Sequence, residues 1–220
     1  MKIKVCGITR TANALKAVRL GADALGFIFY PASPRYISPQ NAAKISTEIP
    51  ESVTRVAVCV KPNLAYIAEL VDIFKFDVLQ IHGDFSPSYL ANFKNYTVIP
   101  ALQVGTDFSM GAVENFISES AAVLLDTQKN GHYGGTGEAF DWNLTKARND
   151  NIRLILAGGL NPNNIIAAVK TVKPFAVDLN SGVEISPGIK DHKKLEIIFD
   201  KLKEIRGEQQ FDQKKCGLFA

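Results

Sequence analysis

The hydrophobic positions of the chain fall into eight short, nearly continuous apolar runs that are rich in β-branched and aromatic residues. Runs of this kind are typical of strands that are covered on both faces, as in parallel sheets. We predict strands over residues 2–6, 24–29, 53–60, 77–82, 97–102, 121–126, 153–158 and 175–180.

The segments between these runs carry apolar residues at helical spacing, and prolines, asparagines and glycines mark where they begin and end. Helices are predicted over residues 11–20, 40–48, 64–74, 88–94, 108–119, 142–149, 163–172 and 191–206, the fifth with the weakest pattern because Gly111 lies near its start. Strand followed by helix, repeated without a linker, predicts an α/β fold: a single (β/α)8 TIM barrel over residues 1–206, followed by a C-terminal tail over residues 207–220.

Composition and charge narrow the possible functions. The 220 residues suffice for one large domain, and a net charge of +3 with interspersed acids and bases gives little support for nucleic-acid binding. No apolar run approaches the ~20 residues of a membrane span, and the start of the chain lacks the apolar core of a signal peptide. Three widely spaced cysteines predict a reducing, cytoplasmic compartment and no zinc site. A phosphorylated metabolite suits this charge balance as a ligand.

Polar residues lie at the carboxyl ends of several predicted strands, where barrels of this kind place their chemistry. Asp126 ends the sixth strand and is followed by a glycine-dense loop at residues 131–137. Each such residue alone is more often structural, but several together at carboxyl ends indicate a site. Three strands also carry polar pairs two positions apart, which face the same side of the sheet: Lys4 with Cys6, Gln80 with His82, and Asp178 with Asn180.

The Cys6 thiol needs help to act as a base, because the pKa of a free thiol is near ~8.5. Lys4, one pleat below it, is a suitable electropositive neighbour. The first and eighth strands are adjacent in a closed barrel, so Asp178 can pair with Lys4 and set how much of its charge reaches the thiol. A buried Lys4–Asp178 pair with only a packing role is the alternative, and the sequence leaves both open.

Two glycine-containing turns follow the seventh and eighth predicted strands, and this pair of loops is the usual phosphate site of (β/α)8 barrels. Glycine lets backbone N–H groups approach an anion closely, although glycine after a strand is also ordinary turn punctuation. The predicted phosphate-binding residues are Gly158, Gly159, Ser181 and Gly182.

The loop after the second strand, residues 30–39, contains three prolines and Arg35. An arginine on a stiffened loop is suited to bidentate binding of a carboxylate. A solvated surface charge is the alternative interpretation.

Taken together in order, these segments resemble the phosphoribosylanthranilate isomerase family of tryptophan biosynthesis. The resemblance runs from Lys2 to about Arg206, while residues 207–220 have no counterpart in it. Asn180 stands where the family more often has serine. The motifs that carry the resemblance are residues 4–9, 26–29, 33–36, 80–84, 125–127, 134–137, 140–142, 157–160, 178, 181–184 and 187–191.

The resemblance implies an Amadori rearrangement of N-(5-phosphoribosyl)anthranilate to 1-(2-carboxyphenylamino)-1-deoxyribulose 5-phosphate, without a metal or organic cofactor, by a monomer or homodimer. It implies Asp126 as the general acid that opens the ribose ring and Cys6 as the general base that removes the C2 proton. Arg35 would bind the anthranilate carboxylate. Gln80, His82 and Asp178 are further candidates for substrate binding.

Two rival functions stay open. The isomerase of the histidine pathway performs the same rearrangement on a bulkier substrate, but that family normally has aspartate where this chain has Cys6. A non-catalytic barrel that binds phosphorylated metabolites is the second rival. The presence of both Cys6 and Asp126 argues against it, because holding a ligand requires neither.

Overall fold

The computed structural model describes residues 1–105, 108–127, 140–145 and 152–209. Eight parallel strands form a closed barrel in which each strand pairs with its neighbours in chain order and β8 returns to β1. The predicted fold class is therefore confirmed. The strands are β1 Lys2–Val5, β2 Ala24–Ile28, β3 Thr54–Val60, β4 Val78–His82, β5 Val98–Val104, β6 Val123–Thr127, β7 Leu154–Leu156 and β8 Ala176–Leu179.

Helices surround the barrel, and none among the described residues is both long and apolar enough to cross a membrane. Their side-chain N-terminal caps include Ser38 and Asn63, which accept from backbone N–H groups three residues later. The helices are α1 Thr11–Leu20, α2 Pro39–Ser46, α3 Leu64–Ile73, α4 Pro87–Leu90, α5 Met110–Glu114, α6 Ile165–Val172 and α7 His192–Gln209.

Several helical elements depart from prediction. The predicted helices over 88–94 and 108–119 each split into a short α-helix and a 3-10 turn, Ala91–Phe93 and Ile117–Glu119. The described part of the predicted helix over 142–149 is a 3-10 helix, Trp142–Thr145, and the rest lies outside the described residues. The α6 helix begins two residues later than predicted, and α7 ends at Gln209 instead of Arg206.

Two apolar layers fix the barrel. Outward-facing strand residues such as Phe27 and Leu79 pack against helix residues such as Phe199, and all three side chains are buried. A second cluster fills the barrel interior. Because the interior is packed with side chains, the barrel is not a pore, and a ligand site has to lie at an end of it. The interior cluster includes Ala24, Val56, Val78, Ile99, Leu124, Ile155 and Ala176.

A two-stranded antiparallel hairpin, β9 Glu184–Ser186 and β10 Ile189–Lys190, lies between β8 and α7 and was not predicted. It docks on the loop after β1, where the Thr9 hydroxyl donates a hydrogen bond to the Gly188 carbonyl at 2.6 Å. Gly188 has a φ of +79°, so the tight turn of the hairpin requires glycine there. The hairpin carries two charged side chains, Glu184 and Lys190, into the buried part of the molecule.

Candidate active site

All ten residues predicted for the site line one cavity at the carboxyl ends of the barrel strands. Five of them lie at or near the carboxyl ends of strands, and the other five lie in the loops after β2, β7 and β8. The residues that the sequence assigned to one site therefore do lie together in the fold, although their roles remain predictions. The ten are Cys6, Arg35, Gln80, His82, Asp126, Gly158, Gly159, Asp178, Ser181 and Gly182.

Asp126, on β6, is buried and has the properties of a proton donor. Burial, with a smaller contribution from Asp178, raises the pKa of its carboxyl to about 6. The Thr127 N–H donates to Oδ1 at 2.9 Å and only partly opposes this rise. A carboxyl with this pKa holds its proton much closer to neutral pH than an exposed aspartate does.

Cys6 lies directly after β1, and its thiol occupies space that glycine leaves open on β2. A Cβ atom at Gly26 would lie 2.8 Å from Cys6 Sγ. Burial raises the pKa of the Cys6 thiol, and the opposing effects of Lys4 and Lys190 do not offset it. Lys4 thus acts in the expected direction, but the raised pKa leaves the Cys6 thiol predominantly protonated at neutral pH.

Lys4 and Asp178 form a buried ion pair across the junction of β1 and β8, where they are direct register partners. Lys4 Nζ lies 2.7 Å from Asp178 Oδ2. Burial disfavours the ammonium, but Asp178 and Cys6 outweigh it and raise the pKa of Lys4. Asp178 Oδ1 is buried and has no hydrogen-bond partner among the described residues, so it is available to a hydroxyl donor from a ligand.

Gln80 and His82 face each other on β4, with Gln80 Nε2 2.7 Å from His82 Nε2. Burial, and to a lesser extent Lys4, lowers the pKa of His82 to about 3, so its imidazole is neutral. With the amide as donor, His82 Nε2 accepts and the ring proton is on Nδ1. Gln80 Oε1 is buried without a partner in the described part of the chain, so it is a second acceptor that a ligand donor can use.

The two predicted phosphate loops lie against each other. Gly158 and Gly159 have φ angles of +81° and +63°, a conformation that favours glycine. A Cβ atom at Gly182 would lie only 2.0 Å from the Leu160 carbonyl oxygen, so the close approach of the loops depends on its missing side chain. A Cβ atom at Gly158 would lie 2.3 Å from Thr127 Oγ1 and 3.2 Å from Asp126 Oδ1. The loop after β7 therefore also packs against the candidate acid.

Arg35 is buried against the cavity, which rules out the solvated surface charge considered above. Its Nε lies 3.0 Å and 3.1 Å from the two carboxylate oxygens of Glu184, and its Nη2 lies 2.8 Å from Glu184 Oε2. Lys190 Nζ bonds to the other side of the same carboxylate, 2.8 Å from Oε1. Sequence reasoning missed Glu184 and Lys190. A Pro187-Gly188 turn between two charged residues was the available signal.

No group of three or more histidine, cysteine, aspartate or glutamate side chains suited to a metal ion occurs within the described ranges.

Comparison with known proteins identifies the family. Residues 3–201 match the family model described as N-(5'phosphoribosyl)anthranilate (PRA) isomerase. The N-(5'-phosphoribosyl)anthranilate isomerase of Citrifermentans bemidjiense is 42% identical over 204 residues, which cover 93% of this chain and 98% of the relative.

Solved structures agree. The phosphoribosyl anthranilate isomerase of Thermotoga maritima superposes with a TM-score of 0.83 at 39% identity, covering 93% of this chain and 99% of that one. Another crystal structure of such an isomerase, with a TM-score of 0.80, 38% identity and the same coverage, is a complex with reduced 1-(o-carboxyphenylamino)-1-deoxyribulose 5-phosphate. The chain therefore belongs to the N-(5'-phosphoribosyl)anthranilate isomerase family, the isomerases of tryptophan biosynthesis.

Proposed function

We propose that the protein converts N-(5-phosphoribosyl)anthranilate to 1-(2-carboxyphenylamino)-1-deoxyribulose 5-phosphate, with Asp126 as general acid and Cys6 as general base. The observation that carries the assignment is that these two groups line one cavity at the carboxyl ends of the strands. A relative in complex with a reduced form of this product supports the choice of substrate.

The first step is ring opening. Asp126 donates its proton to the ribose ring oxygen, the C1–O bond breaks, and the lone pair of the anthranilate nitrogen forms a C=N iminium bond. The raised pKa of Asp126 favours this role, because a general acid must hold its proton near the working pH.

The second step is proton abstraction at C2. The Cys6 thiolate takes the C2 proton, and the C–H electron pair forms the C=C bond of an enolamine, which neutralises the iminium nitrogen. The enolamine then tautomerises to the ketone. Since the pKa of Cys6 is raised, only a minor fraction of the enzyme carries the thiolate, but that thiolate is a correspondingly stronger base.

Substrate binding divides among the remaining groups. Phosphate lies at Gly158, Gly159, Ser181 and Gly182, where loop backbone can approach it closely. Gln80 Oε1 and Asp178 Oδ1, which have no partner among the described residues, accept hydrogen bonds from sugar hydroxyls. These two residues and the neutral His82 hold the ribose. Arg35 holds the anthranilate carboxylate.

The test is turnover of phosphoribosylanthranilate by the purified protein, followed as loss of substrate fluorescence. We expect turnover by the parent chain and losses in kcat of about 10²–10⁴-fold in Cys6→Ala and Asp126→Asn, with folding unchanged. A parent chain that does not turn over this substrate would overturn the function. Substantial activity in either variant would remove that residue from its role. The histidine-pathway substrate serves as the comparison for specificity.

A further inference from the structure

We infer that Glu184 is a positioning residue for Arg35: it holds one edge of the guanidinium so that the other edge faces the substrate carboxylate, and Lys190 holds Glu184 in turn. This inference rests on the proposed function, because it concerns how the same cavity recognises the anthranilate end of its substrate.

The hydrogen-bond pattern of Arg35 carries the first step. A guanidinium has two edges that can each donate two parallel hydrogen bonds to a carboxylate, one formed by Nε with an Nη group and one formed by both Nη groups. Glu184 takes the Nε–Nη2 edge at 2.8–3.1 Å. Nη1 makes no hydrogen bond to any described residue, so the Nη1–Nη2 edge is the one left for a ligand.

The anchoring of Glu184 carries the second step. Besides Arg35, Glu184 Oε1 accepts from Lys190 Nζ at 2.8 Å and from the Gly188 N–H at 3.1 Å. Lys190 is buried and also donates to the carbonyl and side-chain oxygens of Asn180 at 3.3 Å and 3.0 Å. A carboxylate held by this many donors is a fixed part of the hairpin and does not move aside when a ligand arrives.

The balance of charge among the buried ionic groups beside the cavity is the third step of the argument. Arg35 and Lys190 are two buried cations, and within the described residues Glu184 is the one carboxylate that bonds to them. One positive charge is therefore left without an anion beside the cavity. An anionic substrate group at the free edge of Arg35 supplies the missing charge, which a buried cation strongly favours.

The opposite possibility is that Glu184 occupies the place of the substrate carboxylate and competes with it. The two ideas differ in the sign of one measurement. Removing a competitor lowers KM, whereas removing a positioning residue raises KM, because Arg35 is then free to turn away from the ligand.

The experiment is steady-state kinetics of Glu184→Gln with phosphoribosylanthranilate. We expect KM to rise ~5- to 20-fold, part of the loss expected from a hydrogen bond to a charged group, while kcat stays within about threefold. Glu196→Gln on α7 is the matched control. Its carboxylate pairs with Lys16 on the outer surface, and its kinetic constants should equal those of the parent.

A double-mutant cycle separates positioning from a general structural effect. If Glu184 acts through Arg35, Glu184→Gln should change KM by less than about twofold in an Arg35→Met background. If Glu184→Gln alone does not fold, the double variant Glu184→Gln/Lys190→Met removes both charges of the hairpin and is tested in its place.

The outcomes separate the inference from the function beneath it. No turnover by the parent chain overturns the proposed function. Turnover by the parent together with an unchanged or lowered KM in Glu184→Gln overturns the positioning role alone. A rise in KM of equal size with and without Arg35 does the same.

Discussion

At the scale of single residues, the site works by placing ionisable groups where burial changes their chemistry. Asp126 and Cys6 are both buried, and burial raises the pKa of each. For the acid this keeps a proton available near neutral pH. For the thiol it makes the thiolate scarce but more basic, so the same physical effect favours the proposed acid and limits the proposed base.

Asp126 should destabilise the folded protein at neutral pH. Its folded pKa of about 6 exceeds the ~3.9 of an unfolded aspartate, so ionisation disfavours the folded state. The penalty is absent below ~pH 4, grows between ~pH 4 and 6, and is complete above that range, at about 2–3 kcal/mol. Asp126→Asn should therefore raise Tm by roughly 4–10 °C at pH 7.5 and leave it unchanged near pH 4.

Thermal unfolding of Asp126→Asn and the parent at both pH values is the measurement. Asp200→Asn on α7 is the matched control, because that carboxylate is exposed and pairs with the exposed Lys203. Its effect should stay below about 0.5 kcal/mol at either pH. Equal Tm values for Asp126→Asn and the parent at pH 7.5 would mean that ionisation of this carboxyl does not destabilise the folded protein.

At the scale of elements, the parallel strands were predictable because each is a buried apolar run, and their common direction placed the polar ends together. The Lys4–Asp178 pair followed from barrel closure in the same way and is present. The β9–β10 hairpin was missed because its strands are too short to show alternation. The Arg35–Glu184 contact joins positions 149 residues apart, and no local pattern in a single sequence reports such a pairing.

The β2 strand makes room for the thiol of the proposed base through an absent side chain. A methyl group at Gly26 would lie 2.8 Å from Cys6 Sγ and 3.1 Å from Lys4 Cε, so Gly26→Ala must displace the thiol. We expect kcat to fall on the order of 10²-fold, as for a reactive group misplaced by about 1 Å, with a stability loss of about 1–3 kcal/mol from overpacking.

Kinetics and thermal unfolding of Gly26→Ala test this, with Gly111→Ala as the matched control. A Cβ atom at Gly111, in α5, meets nothing closer than 3.9 Å, and alanine favours a helix, so that variant should keep full activity and gain up to ~1 kcal/mol. Parent-like kcat in Gly26→Ala would show that the thiol has room to adapt or is not the base.

At the scale of the whole molecule, closure of the barrel joins the two ends of the described chain. The β1 strand pairs with β8, and α7 packs beside α1, where His192 Nε2 lies 3.0 Å from Asn13 Oδ1. The cavity therefore depends on both ends, since Cys6 lies directly after β1 while Asp178 and the hairpin lie near the other end. The contacts that join the two ends of the described chain therefore support both the stability of the barrel and the geometry of the site.

This junction defines how much of the chain the activity needs. Truncation after Gln209 removes residues 210–220 and keeps all of α7. We therefore expect parent-like kcat, KM and Tm, with a free energy of unfolding within about 0.5 kcal/mol of that of the parent.

Truncation after Lys194 is the contrasting variant. It removes Leu195, Ile198, Phe199 and Leu202, which are all buried. At about 1.5–3 kcal/mol for each side chain, their loss approaches the ~5–15 kcal/mol that holds a domain folded, so this variant should not fold. Circular dichroism, thermal unfolding and phosphoribosylanthranilate turnover distinguish the two truncations. A folded but inactive chain ending at Gln209 would place a functional group in residues 210–220 and contradict a site built from the barrel and its hairpin alone.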